Sequence, residues 1–153
     1  MLDWEKCKNV FQPDGSLRDI YITPATINDW RSLYPFLCSC PTVEYFVDGI
    51  AQTPPSTTEK VFSTRSTASP MLRLKIGSTL FVFHFFSKDE IECDFMPQEI
   101  TSQSDLNSLL GFIRQLGDKV GKPVLLTPEN LHESPLISYF PENGTFLYHE
   151  VLT

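Results

Sequence analysis

The sequence predicts an α+β fold: a two-layer domain with a mainly antiparallel sheet, a central three-stranded meander and two main helices. Apolar and polar residues alternate along 71–96, as in β-strands, and apolar residues recur at helical spacing along 102–121. The predicted element order is β-α-β, a loop, β-β-β, α, β and a final β-β pair. A doubly wound parallel sheet would require regular alternation of strands and helices, so this order favours the antiparallel arrangement.

The first part of the chain predicts a strand followed by a helix. Side chains alternate from Leu17 to Ile22, which is typical of a strand. Thr26 and Asp29 have the spacing of a capping box, and the helix after them has an apolar stripe made of Trp30, Leu33, Tyr34 and Leu37. Because Pro35 lacks an amide hydrogen, we expect this helix to end or kink near Tyr34.

A second strand and a long loop are predicted next. The strand runs from Val43 to Val47 and is closed by the turn residues Asp48-Gly49. Residues 53–70 contain 12 Ser, Thr or Pro among 18, which predicts a flexible loop at about 52–70 with a short edge strand at Val61-Phe62. This loop is too short to separate two domains, and the 153 residues, 41% of them hydrophobic, predict one globular domain over 1–153.

The meander predicts its own pairing register. A two-residue turn at Gly77-Ser78 joins the strand Leu72–Ile76 to the strand 79–86, because glycine allows the positive φ that a tight hairpin requires. This turn predicts two pairings, Leu74 with Phe81 and Leu72 with Phe83.

The loop before the third strand decides which face of the sheet receives its carboxylates. A two-residue loop would bury Glu92 and Asp94 against phenylalanines without partners, at a cost of several kcal/mol. A three-residue loop, Ser87–Asp89, avoids this cost and is therefore predicted. One face of the meander is then wholly apolar, with nine residues: Leu72, Leu74, Ile76, Phe81, Phe83, Phe85, Ile91, Cys93 and Phe95.

The opposite face of the meander is the predicted binding surface. It has acidic residues on one flank, Arg73 and Lys75 on the other, and a mixed strip between them formed by Leu80, Val82, His84 and Phe86. The residues predicted to contact a protein partner are Glu90, Glu92, Asp94, His84 and Phe86.

The last third of the chain predicts one long helix and three strands. Ser102 and Asp105 have capping-box spacing, and the helix after them extends to Gly121. A strand follows at Val124 to Leu126, and Thr127-Pro128-Glu129 has the composition of one helical turn. The final hairpin is predicted from Leu136 to Phe140 and from Thr145 to Leu152, around an Asn-Gly turn.

Charge limits the classes of partner. The chain has 19 acidic and 12 basic residues, a formal net charge of −7, which would repel nucleic acid and anionic membranes and attract a basic protein. We therefore predict a protein partner, with no nucleic acid and no membrane. The absence of a long apolar run or an N-terminal apolar segment, and the sparse cysteines, predict a cytoplasmic protein with reduced thiols.

Three groups of residues have side chains that could serve catalysis or metal binding. His84 is predicted to lie opposite Glu92, which would suit acid–base catalysis but also a structural ion pair. Glu129, His132 and Glu133 offer only one histidine, and Cys38-Ser39-Cys40 has a shorter gap than zinc sites prefer and lacks a second pair. We therefore assign no catalytic residue, no metal ligand and no cofactor, and an enzyme is the less favoured class.

One segment carries a resemblance to a known class of proteins. The residues Asp14-Gly15-Ser16-Leu17-Arg18-Asp19-Ile20-Tyr21, followed by Asp29-Trp30, resemble the start of small uncharacterised bacterial proteins found near polymorphic-toxin genes. Some of those proteins act as immunity proteins. The resemblance implies a toxin-neutralising role, and it transfers no catalytic residues.

The predicted function is therefore that of a non-enzymatic protein-binding domain, specifically an immunity-type inhibitor of a bacterial toxin. Two alternatives remain open at this point. One is a small enzyme that uses His84 or His132 with a nearby carboxylate, which would require a concave pocket around that pair. The other is a structural subunit that forms oligomers through its aromatic strands.

Overall fold

The computed structural model describes residues 2–150, and within them the fold is α+β, with four helices and one nine-stranded antiparallel sheet. The helices are α1 (Trp4–Cys7), α2 (Ile27–Cys38), α3 (Thr58–Arg65) and α4 (Gln103–Val120). The strands are β1 (Arg18–Ile22), β2 (Glu44–Val47), β3 (Ile50–Gln52), β4 (Pro70–Ile76), β5 (Thr79–His84), β6 (Ile91–Phe95), β7 (Val124–Pro128), β8 (Ile137–Phe140) and β9 (Thr145–Tyr148).

The sheet is larger than the sequence predicted. Its strand order is β3-β2-β4-β5-β6-β1-β7-β8-β9, and every neighbouring pair is antiparallel. The predicted meander is β4-β5-β6, which is only the middle of this sheet. The expectation of two main helices was inexact, since α1 and α3 also contribute buried side chains to the core.

The predicted register of the meander is confirmed. The pairs between its strands include Leu74 with Phe81, Leu72 with Phe83, Phe83 with Cys93 and His84 with Glu92. Of the nine residues on the predicted apolar face, eight are buried and Ile76 is half-buried. The register that the three-residue loop was meant to give is therefore the one that the chain adopts, and the carboxylates of β6 lie on the other face. The loop itself is longer than predicted, since β5 ends at His84 and β6 begins at Ile91, which leaves 85–90 as the connection.

The helices pack against this apolar face. The ring of Phe112 in α4 lies 4.5 Å from that of Phe81, and the ring of Trp30 in α2 lies 5.0 Å from that of Phe85, measured between centroids. The hydrophobic effect accounts for this layer, because each amphipathic helix buries its apolar stripe on the sheet. The other face of the sheet is left with polar and mixed side chains.

Local capping signals placed the long helices correctly. Thr26 and Asp29 form the predicted capping box at the start of α2, and the Ser102 hydroxyl accepts the amide of Asp105 at the start of α4. Of the two alternatives expected near Tyr34, an end of α2 is wrong, because the helix continues through Pro35 to Cys38, and a kink stays a prediction. Tyr34 and Leu37 are both buried, so packing of this last turn offsets the hydrogen bond that proline cannot make.

The segment predicted as a Ser/Thr/Pro-rich loop contains a helix. Val61 and Phe62, predicted as an edge strand, lie in α3, which begins after the N-cap Thr57. Val61 is fully buried, and the Phe62 ring packs edge-on against Trp30. Burial of these two side chains against the core stabilises a helix that its composition disfavours.

The C-terminal part follows the prediction with one correction. Thr127 and Pro128 are not part of a helical turn but end β7, where they pair with Asp19 and Arg18 of β1. The final hairpin is confirmed as β8 and β9. The predicted end of its second strand, at Val151 and Leu152, lies outside the described residues.

Candidate functional site

The face of the sheet opposite the helices, called the open face below, is organised in two rows of cross-strand neighbours. One row crosses five strands and consists of Met71, His84, Glu92, Tyr21 and Leu125. The next row consists of Arg73, Val82, Asp94, Asp19 and Thr127. Side chains directly opposite each other in an antiparallel sheet lie about 5 Å apart at Cβ, so each row is a line of contacts.

Four carboxylates meet in the middle of the open face and are called the acidic cluster below: Asp19, Glu90, Glu92 and Asp94. Glu92 and Asp94 come from β6, Glu90 directly precedes it, and Asp19 comes from the neighbouring β1. Glu90, Glu92 and Asp94 were predicted from the sequence as binding residues, and Asp19 was not. The alternation of β1 placed Asp19 beside Tyr21 on one face, but no local signal indicated that β1 pairs with β6.

Asp19 is the most buried member, with 2% of its surface exposed. Its carboxylate accepts hydrogen bonds from the backbone amide of Asn130 at 2.7 Å and from the Tyr21 hydroxyl at 3.1 Å. Burial raises the pKa of Asp19, and these two hydrogen bonds oppose the rise only in part. The carboxylate therefore retains its proton more readily than an exposed aspartate.

Glu92 shares the Tyr21 hydroxyl with Asp19. The hydroxyl oxygen lies 3.4 Å from the Glu92 carboxylate, so two acidic groups compete for one donor. Burial raises the pKa of Glu92, and the negative charges of Asp19 and Glu90 raise it further. Burial and the negative charges of Asp19, Glu92 and Glu90 raise the pKa of Tyr21, which keeps the phenol protonated as a donor.

His84 is held by an ion pair and a ring stack. It lies opposite Glu92 in the register, as predicted, but its Nε2 contacts Oδ2 of Asp94, one row away, at 2.7 Å. Its ring stacks on Phe86 with centroids 4.8 Å apart and an interplanar angle of 4°. Burial lowers the pKa of His84, but the hydrogen bond and charge of Asp94 outweigh burial, and the net effect raises this pKa.

The ion pair predicts a pH-dependent contribution to stability. Because the pKa of His84 is higher in the folded chain, its stabilisation is fully present below the unfolded pKa of about 6.5 and is lost as the pH rises through the folded pKa. We expect Asp94→Asn to lower the His84 pKa in an NMR titration and to flatten this part of the stability profile. In Asp118→Asn, a change in the helical layer, His84 should titrate as in the native chain. An unchanged His84 pKa in Asp94→Asn would contradict the assignment.

A loop between β7 and β8 covers one side of the acidic cluster. His132 packs on Tyr21 with ring centroids 3.5 Å apart, and its Nδ1 lies 3.3 Å from the Glu90 carboxylate. Glu129 anchors the start of this loop by accepting the backbone amide of Leu17 at 2.7 Å, whereas Glu133 is exposed. Of Glu129, His132 and Glu133, His132 contacts Tyr21 and the Glu90 carboxylate of the acidic cluster, and the negative charge of Glu129 adds to burial in raising the pKa of Asp19.

Exposed apolar groups flank the acidic cluster. Phe86, which continues the open face beyond β5, is 56% exposed. Met96, two residues beyond Asp94, and Leu131 of the covering loop are each 48% exposed. Exposed apolar groups next to charged ones are typical of protein–protein contact surfaces.

The residues considered for catalysis or metal binding do not line a described cavity. Five depressions, with volumes from about 300 to 730 Å³, are lined without His84 or His132. Within residues 2–150, no group of three or more His, Cys, Asp or Glu is arranged to hold a metal ion. Cys38 and Cys40 are half-buried free thiols, and burial raises the pKa of both.

None of the helices in the described part of the chain combines the length and apolar character of a membrane span. Comparison with known proteins found no matching family model, no matching curated protein and no matching solved structure.

Proposed function

We propose that this protein is a non-enzymatic binding domain that docks a basic protein on the open face of its sheet. The observation that carries the proposal is the acidic cluster, in which Asp19 and Glu92 share the Tyr21 hydroxyl and Glu90 and Asp94 lie beside them, together with an exposed apolar residue, Phe86. Partner binding would compensate like charges that the fold brings together, and it would cover the exposed ring.

Charge complementarity supports a basic partner rather than another class. Within residues 2–150, two imidazoles form ion pairs with the four carboxylates: His84 with Asp94 and His132 with Glu90. Four negative charges would therefore exceed two positive charges even with both imidazoles protonated. The whole chain has a formal net charge of −7, which would accelerate the approach of a positively charged protein. The same charge disfavours nucleic acid and anionic membranes as partners.

In its specific form, the proposal is an immunity-type inhibitor that covers the basic active site of a bacterial toxin. The resemblance of Asp14–Tyr21 and Asp29-Trp30 to the start of such proteins supports this form. An acidic sheet face with exposed apolar anchors is suited to blocking a basic cleft, because charge steers the encounter and the apolar groups exclude water from the contact.

Binding of a basic peptide of alternating lysine and arginine tests the docking surface. We expect NMR amide shifts to concentrate on β4, β5 and β6, and affinity to fall between about 20 and 150 mM salt. The double variant Glu90→Gln/Glu92→Gln should bind about three- to tenfold more weakly at low salt, because two of the facing charges are removed. The readouts are the shift map and a fluorescence titration.

Glu142→Gln provides the matched control. Glu142 is exposed between β8 and β9, so this variant removes a negative charge elsewhere, and it should retain the native affinity. Shifts that map to the helical layer, or equal losses in the control and the double variant, would reject the open face as the docking surface.

Acid–base catalysis is a second candidate, favoured by the 2.7 Å contact between His84 and Asp94. The described depressions do not include this pair, so the binding role is proposed first. A catalytic role requires His84→Gln or His132→Gln to abolish the biological effect, and an unchanged effect in both variants would exclude it. The oligomer alternative would have to use other rings than Phe81, Phe83 and Phe85, which are fully buried in the core.

A further inference from the structure

We propose that the open face receives an arginine side chain of the partner, with Phe86 as the stacking surface and Glu90 and Glu92 as the carboxylates. This inference rests on the proposed function and names the partner's contacting group. Two places on the open face support it, one around Arg73 and one around Phe86.

The first place already holds a guanidinium. Arg73 of β4 lies over the ring of Phe46, with its Cζ 4.4 Å from the centroid, and its Nη2 donates to the Glu44 carboxylate at 3.1 Å. All three side chains belong to neighbouring positions of β2 and β4 on the open face. The combination of a phenylalanine face and a glutamate therefore binds arginine within this chain.

The second place has the same components but no arginine bound to its carboxylates. Phe86 uses one ring face to stack on His84 and remains 56% exposed. Glu92 pairs with His84 in the register, and Phe86 and Glu90 lie two residues beyond this pair, in the 85–90 segment that joins β5 to β6. The exposed ring and the two carboxylates therefore lie at the same end of β5 and β6.

The chain's own Arg65 approaches Phe86 without completing this arrangement. Its Cζ lies 5.8 Å from the ring centroid, near the outer limit of a cation–π contact. Within residues 2–150, Arg65 makes no salt bridge. The ring therefore attracts a guanidinium at this position, whereas the carboxylates near it contact the His132 imidazole at Glu90 and the Tyr21 hydroxyl at Glu92. A guanidinium from outside would add a charged partner to both carboxylates.

Arginine fits this place better than lysine for geometric reasons. The guanidinium is planar and can lie flat on Phe86 while its edge donates to Glu90 or Glu92. A lysine ammonium is a compact, strongly hydrated charge, which gains from the carboxylates but stacks poorly on the ring. The preference for arginine should therefore depend on Phe86, whereas the attraction of any cation should depend on the glutamates.

Titration of the full chain with hexa-arginine and hexa-lysine peptides tests this inference. At low salt we expect hexa-arginine to bind about three- to fivefold more tightly than hexa-lysine. Phe86→Leu should remove this preference and leave hexa-lysine binding unchanged. Arg65→Gln should increase the affinity for hexa-arginine, because the competing guanidinium is removed.

Leu147→Ala is the matched control, since it removes an exposed apolar side chain from the far end of the open face, and it should keep the arginine preference. Circular dichroism would verify that each variant is folded. If hexa-arginine and hexa-lysine bind the native chain equally, or if the preference for hexa-arginine survives in Phe86→Leu, the arginine site is overturned but a basic partner remains in place. Binding of neither peptide would overturn both the arginine site and the proposed function.

Discussion

Replacing Phe85 with alanine is expected to lower the free energy of unfolding by about 3 to 5 kcal/mol, whereas Phe86→Ala should lower it by less than about 1 kcal/mol. The two residues are adjacent, but Phe85 is fully buried and Phe86 is 56% exposed. The Phe85 ring contacts Trp30, Phe62 and Tyr34, so its removal leaves a cavity between the sheet and α2 and α3. Urea denaturation followed by circular dichroism measures both values.

This pair of variants tests the register of the meander directly. A shift of one residue would exchange the two faces of β5, and the larger loss would then occur at Phe86. Similar losses at both positions would also contradict the structure, because they would imply that the open face is covered. Phe86→Ala should lose the arginine preference while remaining stable, which separates the role of the ring in binding from any role in folding.

Gly117→Ala is expected to lower the free energy of unfolding by about 2 to 3 kcal/mol. A Cβ at this position would lie 2.7 Å from Cδ2 of Tyr139 and 3.1 Å from Cγ2 of Val124. Gly117 lies in α4 where the helix crosses β7 and β8, so relief of the clash would push the helix away from the sheet. Thermal and urea denaturation provide the measurement.

Gly111→Ala in the same helix is the matched control. A Cβ at Gly111 meets no atom within 4 Å, and the position is exposed. Because alanine is the better helix former, this variant should be more stable than the native chain by up to about 1 kcal/mol. Equal effects of the two substitutions would show that helix propensity, rather than contact with Tyr139, limits α4 at Gly117.

The parts of the fold that the sequence predicted correctly are governed by near neighbours. The Gly77-Ser78 turn sets the register of β4 and β5, because a two-residue turn allows few alternatives, and the alternation of carboxylates with apolar residues along β6 selects its register against β5. The N-caps at Thr26 and Ser102 marked the starts of α2 and α4 for the same reason, since each cap binds an amide three residues away.

The predictions that failed involve competition between local preference and burial. Residues 58–65 have little local helical preference, yet α3 forms because Val61 and Phe62 pack against the core. Pro35 was expected to end or kink α2, but the helix does not end there, because the buried side chains of Tyr34 and Leu37 keep the last turn in place. Local signals do not reveal how much area a side chain will bury, so they misplaced both elements.

The residues of the candidate site show the same difference between local patterns and long-range contacts. Alternation along β5 and β6 was enough to predict from the sequence that His84, Glu92 and Asp94 share the face opposite the helices, with Phe86 and Glu90 next to them, because side chains two residues apart in a strand point to the same side. Only the tertiary structure brought Asp19 and Tyr21 of β1 beside them and placed His132 over Tyr21. Tyr21 and Glu92 are 71 positions apart, and a contact at that separation depends on which strands pair across the whole sheet, which no short segment of the chain specifies.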